Sequence, residues 1–233
     1  MGHVTAAHAA INVPQFAPTT RYLAVVSLRR TVRNLATYGA PYGLMEAAPR
    51  LPRPAPRPNT VSDEQLAMLL SSAPPHLQLY LLLCHDCALR GGTAARVSWS
   101  NLIDTALLTI RSKRSTIVRV PISGRLATLI SLCPKGDGTL VSLLAGHRVG
   151  HSALHQHFKR VLAHCGLPMT IRLHDLRRTM AEKTYRLTSD LRVVQTLLGH
   201  DSLGSTLQYL QRPAHAYMDA LAASIETITG AKG

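Results

Sequence analysis

The chain has 233 residues, with 26 Lys and Arg against 12 Asp and Glu, and a formal net charge of +14. Its length excludes a large multidomain machine and allows one ordinary domain with a small appendage, or two modest domains. With 46% hydrophobic residues it can bury a core, so it is not a disordered basic tail; the charge sits on a folded body that attracts polyanions, nucleic acid first and an anionic membrane surface second.

Residues 1–19 show no apolar periodicity and are expected to be disordered, and the start MGHVTAAHAAINV lacks the basic and apolar regions of a signal peptide. Over 20–38, Leu23, Val26, Leu28, Val32 and Leu35 fall near helical spacing among Arg21, Arg29, Arg30 and Arg33. That pattern predicts one basic helix, ended at Gly39 and Pro41. Residues 49–58, PRLPRPAPRP, alternate proline with arginine and apolar residues and should run extended as a semi-rigid linker. The chain thus divides into 1–48, a Pro/Arg-rich linker over 49–60, and a main domain over 61–233.

In the main domain, Ser62 and Gln65 have capping-box spacing, which predicts a helix over about 63–71. After Pro74 and Pro75 an apolar helix is expected over about 76–89. It contains Cys84-His85-Asp86-Cys87, but no second Cys pair or HxxxH follows at zinc spacing, so these cysteines read as core residues rather than metal ligands. Cys133 and Cys165 complete a sparse set that fits a reducing compartment. Between 105 and 122 the period changes: Leu107, Leu108 and Ile110, then Ile117, Val118, Val120 and Ile122, flank Arg111, Lys113 and Arg114. This reads as a β-hairpin with basic residues at its turn. Helices are then expected over about 123–133, 150–165, 174–186, 190–198, 202–210 and 213–228, giving a mainly α fold with a small antiparallel β-sheet.

The 12 carboxylates are scattered, which leaves few to converge on the ions of a two-metal nuclease. No apolar run approaches the roughly 18 residues that span a bilayer, so no membrane role is expected and a cytoplasmic, nucleoid-associated location is the default.

The strongest local signal is His174-Asp175-Leu176-Arg177-Arg178-Thr179, in which His174 and Arg177 share a helix face. Leu197-Leu198-Gly199-His200 follows, a helix ended at a glycine that lets the chain turn and project His200, and Tyr209 comes nine residues later. HDLRRT, LLGH and a tyrosine at this interval resemble the tyrosine recombinase (phage integrase) family. Cys87-Ala88-Leu89-Arg90 resembles the family's segment bearing its first arginine, and Lys113, eight residues before Pro121, resembles its hairpin lysine. All six positions occur in the family's order and spacing, and the resemblance covers about 20–228.

The resemblance implies the DNA breaking-rejoining catalytic-domain fold and a metal-free reaction without cofactor. Tyr209 would be the nucleophile, Arg90 and Arg177 the clamp on the phosphate, and His200 a hydrogen-bond donor to its oxygens. Lys113 would protonate the leaving 5′ oxygen and His174 would assist proton transfer with Tyr209. A covalent 3′-phosphotyrosine stores the bond energy, so religation needs no ATP, in line with the lack of a GxxxxGK[ST] loop. Implied partners are double-stranded DNA, further copies of the chain in a tetramer joined through the C-terminal helix over 214–228, and accessory DNA-bending proteins.

Other residues compete for these positions: Arg96 with Arg90, Arg111 and Arg114 with Lys113, and Tyr185 and Tyr217 with Tyr209. Tyr217 shares an apolar face with Leu221 and Ile225 and reads as a packing residue. His147, His151, His155 and His157 invite a metal reading but have no Cys or carboxylate at zinc spacing, and read as a solvated face on the DNA side. The sequence departs from the family in two places. Thr93 stands where a glutamate is usual three residues after the first arginine, and the segment before the linker has room for only the last helix of a core-binding domain. Two alternatives to an active integrase of a mobile element follow: an inactive DNA-binding remnant, and a monomeric type IB topoisomerase-like enzyme.

Overall fold

The computed structural model describes residues 2–11, 15–39, 43, 47–48, 50–52, 60–110, 117–200, 204 and 206. They fall into two compact units, Met1–Arg57 and Pro58–Gly233.

The first unit holds α1 (Gly2–Ile11) and α2 (Pro18–Thr37). Helix α1 replaces the disorder expected for this stretch. Ala6, Ala7, Ala9 and Ala10 supply high intrinsic helix propensity, and no residue of α1 is buried, so no apolar stripe existed to be read. Helix α2 opens with Pro18, whose missing N–H costs nothing in the first turn. It buries Val25 and Val32, two turns apart, while Leu23, Val26 and Leu35, expected to form its apolar face, are exposed. The Arg29 guanidinium donates to the carbonyl of Ala48.

The second unit begins with α3 (Asp63–Ser72), whose Ser62 and Gln65 form the expected capping box. Helix α4 (Pro75–His85) runs through the centre of this unit. It is buried on nearly every side, through Leu77, Leu79, Tyr80, Leu81, Leu82, Leu83 and Cys84, and packs against the helices Gly124–Ser131, Leu140–Ala145, His151–His164 and Leu173–Thr188. Each fully buried leucine here contributes on the order of 1.5–3 kcal/mol. A helix apolar all round is a core helix, and the flanks of the CxxC carried that signal. The helix ends earlier than expected, at His85, because Ala88 takes a left-handed conformation (φ 48°) that no α-helix can contain. Short helix α5 (Gly91–Ala94) follows.

The sheet is antiparallel in the order β1 (Leu102–Ile103), β2 (Ala106–Ile110), β3 (Ile117–Pro121). Leu107 pairs with Val120 and Leu108 with Arg119. Val118 and Val120 point inward and Ile117, Arg119 and Pro121 outward, the alternation of a half-buried strand. Then come α6 (Gly124–Ser131), α7 (Leu140–Ala145), α8 (His151–His164), α9 (Leu173–Thr188) and α10 (Leu191–Leu198). Helix α7, which the sequence reading did not foresee, is a six-residue helix capped by Thr139 and closed by left-handed Gly146. The helices expected over 202–210 and 213–228 and the hairpin turn at 111–116 lie outside the described residues, apart from helical Gly204 and Thr206.

Candidate active site

Helix α9 places the HDLRRT motif. Asp175 turns inward and accepts the backbone N–H of Arg172 at 2.8 Å, closing the first turn. Lys159 of α8 donates to the carbonyls of Met169 and Ile171 at 2.6 and 2.9 Å, fixing the approach to the helix. Thr179, buried on the same helix, accepts the Val61 N–H at 2.8 Å and so ties α9 to the segment before α3. With its start held in this way, α9 presents His174 and Arg177 from adjacent turns.

Arg177 is the hub of the site, only 1% exposed. Its Nη1 donates to the carbonyl of Ala88 at 2.5 Å and its Nη2 to that of Leu198 at 2.7 Å. Nη2 also lies 3.2 Å from His200 Nε2. One guanidinium therefore joins three separate stretches of chain: the turn before Arg90, helix α9, and the end of α10. The left-handed geometry of Ala88 belongs to the turn that delivers its carbonyl to Arg177. At the other end, left-handed Gly199 (φ 59°, ψ 48°) closes α10, and the His200 N–H returns to the Gln195 carbonyl at 3.1 Å. Gln195 Nε2 donates to the His200 carbonyl at 2.9 Å, so the His200 backbone is held at both ends.

Arg90 caps α5 and is exposed. Its proximity to His174 is electrostatic as well as spatial. Withdrawal of the His174 ring from water, and then the positive charges of Arg177, Arg178 and Arg90, push its pKa down to about 4. Although the residue as a whole is exposed, the partial withdrawal of its ring from water, reinforced by these three cations, keeps the imidazole neutral at pH 7. The structure thus brings Arg90, His174, Arg177 and His200 together. Lys113 and Tyr209, with Arg111, Arg114 and Tyr217, lie outside the described residues.

The rival residues sit elsewhere. Arg96 is exposed and lines a cavity of about 750 Å³ with Asp137, His147, Arg148 and His151. Tyr185 packs on a small cluster of Ala88, Ala181, Val194 and Leu198. Cys84 and Cys87 are fully buried thiols in the core, and His85 Nδ1 lies 2.7 Å from Asp86. His151 and His155 are exposed on α8, while His157 meets His76 edge-on at 5.8 Å. Among the described residues no group of three or more His, Cys, Asp or Glu is arranged to hold a metal ion. No described helix is long and apolar enough to cross a membrane.

Several contributors to the site went unread in the sequence. Ala88 and Gln195 act through backbone geometry and a carbonyl contact, which no motif marks. Arg178 stood in the HDLRRT motif itself, where its charge on His174 was legible in principle.

The sequence pattern of the phage integrase family matches residues 59–215. A protein named tyrosine recombinase XerC from Rhodospirillum centenum is 28% identical over 177 residues, covering 70% of this chain and 52% of the relative. Another of that name, from Chromohalobacter salexigens, is 30% identical over 192 residues, covering 74% of this chain and 63% of the relative. The chain therefore spans between half and two thirds of the length of these relatives. Among solved structures, the Tn1549 transposon integrase in complex with a circular intermediate DNA superposes with a TM-score of 0.75 at 13% identity, covering 97% of this chain and 84% of that one. A lambda integrase tetramer bound to a Holliday junction gives 0.69 at 19% identity, covering 82% and 59%. At these identities the structures speak for the fold and the matched pattern for descent: the chain belongs to the phage integrase family of tyrosine recombinases and carries its catalytic-domain fold.

Proposed function

We propose that this protein cleaves and rejoins double-stranded DNA at specific sites through a covalent 3′-phosphotyrosine on Tyr209. The observation that carries the reading is the convergence of Arg90, His174, Arg177 and His200 from three stretches of chain around one buried guanidinium. Such a constellation suits a phosphodiester whose non-bridging oxygens gain charge in the transition state. A preorganised donor in a site sheltered from water is worth about 3–4 kcal/mol there, and the carbonyls of Ala88 and Leu198 hold the Arg177 plane before DNA arrives.

In the proposed reaction the Tyr209 oxygen attacks phosphorus and the bond to the 5′ oxygen breaks. The phenol proton passes to His174, which can accept it because it is neutral at pH 7. Lys113 protonates the departing 5′ oxygen. Rejoining reverses these steps, with a 5′ hydroxyl as nucleophile. Arg90 and Arg177 share the phosphate charge, and His200 donates to the same oxygens.

The lambda integrase tetramer on a Holliday junction supports an assembly of four copies on DNA. The proposal adds contact between copies through the segment 214–228, accessory DNA-bending proteins as further partners, and the nucleoid as the place of action. The test is covalent trapping on a nicked suicide duplex. Wild-type protein should form a denaturation-resistant adduct, and Tyr209→Phe should bind the duplex without forming it. Salt-sensitive binding with no adduct from the wild-type protein would leave a DNA-binding role only.

A further inference from the structure

The turn between α7 and α8 carries two exposed side chains that the reaction above does not use, His147 and Arg148. Left-handed Gly146 closes α7 and turns the chain. Three residues on, Val149 is buried, and its N–H donates to the Ser142 hydroxyl at 3.1 Å. The turn is thus pinned at both ends, and His147 and Arg148 line a cavity of about 750 Å³ with Arg96 and His151. The His147 ring has a fixed tautomer. Its Nδ1 lies 3.0 Å from the Ala145 carbonyl, which can only accept, so Nδ1 carries a proton whether the ring is neutral or charged. In the neutral ring Nε2 is therefore a bare lone pair. A phosphate oxygen also presents only lone pairs, so the neutral ring cannot bond to one through Nε2. Protonation turns Nε2 into a donor and leaves the bond to Ala145 in place.

The surrounding charges favour the same ligand. Arg96 and Arg148 are exposed on the cavity wall, and among the described lining residues Asp137 is the one carboxylate. Before α7, Lys135 lies over the Trp99 ring at 3.3 Å. On the α8 side, His151 stands against the Tyr80 ring, and His157 meets His76 of α4. Burial first, and then neighbouring charges that include His147 and, for His157, Arg160, hold the His76 and His157 rings below the ordinary imidazole range. Those two rings therefore compete poorly for a proton. A positive His147 meets mostly cations, and an anion seated among them lifts that opposition. We infer that this cavity takes a backbone phosphate of the bound duplex and that His147 binds it as an imidazolium, so that DNA binding is coupled to proton uptake. The inference rests on duplex DNA as the substrate, not on the cleavage chemistry at Tyr209.

The experiment is a measurement of duplex affinity for the full-length protein by fluorescence anisotropy, in a buffer without phosphate, at about pH 7.5 and 6.0 and over a range of salt. An imidazole ordinarily passes from mostly neutral to mostly charged over that interval. Wild-type affinity should rise at least about threefold on acidification, and its salt slope should steepen toward one further phosphate contact, about 0.9. His147→Gln should lose most of both changes, because it has no ring to titrate. His147→Lys, charged at either pH, should bind at the higher pH much as wild type binds at the lower, with little response to acid. Wild-type affinity unmoved by pH overturns the inference, and so does a pH response that His147→Gln keeps in full. In either case duplex binding itself persists and the cleavage reading stands. Wild-type protein that binds no duplex at low salt removes both.

Discussion

Gly91, next to Arg90, occupies a position where a single methyl group has nowhere to go. A Cβ there would lie 2.7 Å from the Tyr80 hydroxyl, 2.9 Å from His151 Nε2 and 3.3 Å from Leu173 Cδ1. Tyr80 is a fully buried ring in α4 that cannot swing aside, so Gly91→Ala must push the turn bearing Arg90. We expect it to cost about 1–3 kcal/mol by overpacking and to slow suicide-substrate cleavage, read from thermal melts and trapping rates. A Cβ on Gly92 meets nothing within 4 Å among the described residues, and Gly92→Ala should stay within about 0.5 kcal/mol of wild type. Among the described residues the buried Tyr80 hydroxyl has no hydrogen-bond partner, so Tyr80→Phe should be neutral or stabilising, and in the double mutant it should return part of the Gly91→Ala loss. His174 gives a prediction in pH. Its folded pKa of about 4 lies below the ordinary 6.5, so between those values the unfolded chain binds more protons at this position than the folded one. The resulting stability is present above about pH 6.5 and is lost as pH falls toward 4. Denaturant titrations at pH 6.5 and 4.5 should show wild-type protein losing more stability than His174→Asn over that interval, and an equal loss in both would mean that the lowered His174 pKa is not its cause.

At the scale of elements, the end of α4 is bound to the junction of β3 and α6. Asp86 accepts from Arg125 Nε at 2.9 Å and Nη2 at 2.5 Å, and from the Ser123 hydroxyl at 2.5 Å. Burial opposes its ionisation, but the hydrogen bonds of His85, Arg125 and Ser123 outweigh it and hold the carboxyl below the usual carboxylate range. This knot fixes the root of the strand that leads out of the Lys113 segment relative to the turn that carries Arg90. Arg125→Met leaves Asp86 a buried charge short of its main partner. We expect destabilisation toward the lower end of the ~3–5 kcal/mol found for broken buried pairs, since Arg125 is half exposed and Ser123 remains. Arg125→Lys should recover only part, because an ammonium cannot fork onto both oxygens; chemical denaturation measures both. Helices with a cap and a one-sided apolar stripe, such as α3, α6 and α10, were legible in the sequence because cap and stripe are local signals. The knot at Asp86 was not, since it joins residues 39 apart through side chains that look like surface polars. Helix α1 escaped for the opposite reason: propensity without burial leaves no periodicity. Within the site, His174, Arg177 and His200 were marked by motif spacing. Ala88 acts through a backbone angle whose partner only the fold supplies.

Over the whole molecule, the charge of +14 is divided by burial. Arg177 is enclosed, with both Nη atoms directed at protein carbonyls and His200, so its charge, little screened by solvent, serves the site rather than the outer surface. Arg96 and Arg148 face solvent along the cavity beside the start of α8, with exposed His147 and His151. Cations of this second kind suit a polyanion's backbone: each phosphate they neutralise releases condensed counterions, and the logarithm of the binding constant falls with the logarithm of salt by about 0.9 per contact. The two classes should therefore separate in a single titration. Arg148→Ala and Arg96→Ala should each make the salt dependence of duplex binding shallower by about 0.9, with affinity falling alike on specific and unrelated sequences. Arg90→Ala should instead show its main loss in the rate of adduct formation at saturating DNA, because a clamp on the reacting phosphate acts most strongly in the transition state. A salt slope unmoved by both exposed substitutions would place the duplex on another face of the domain.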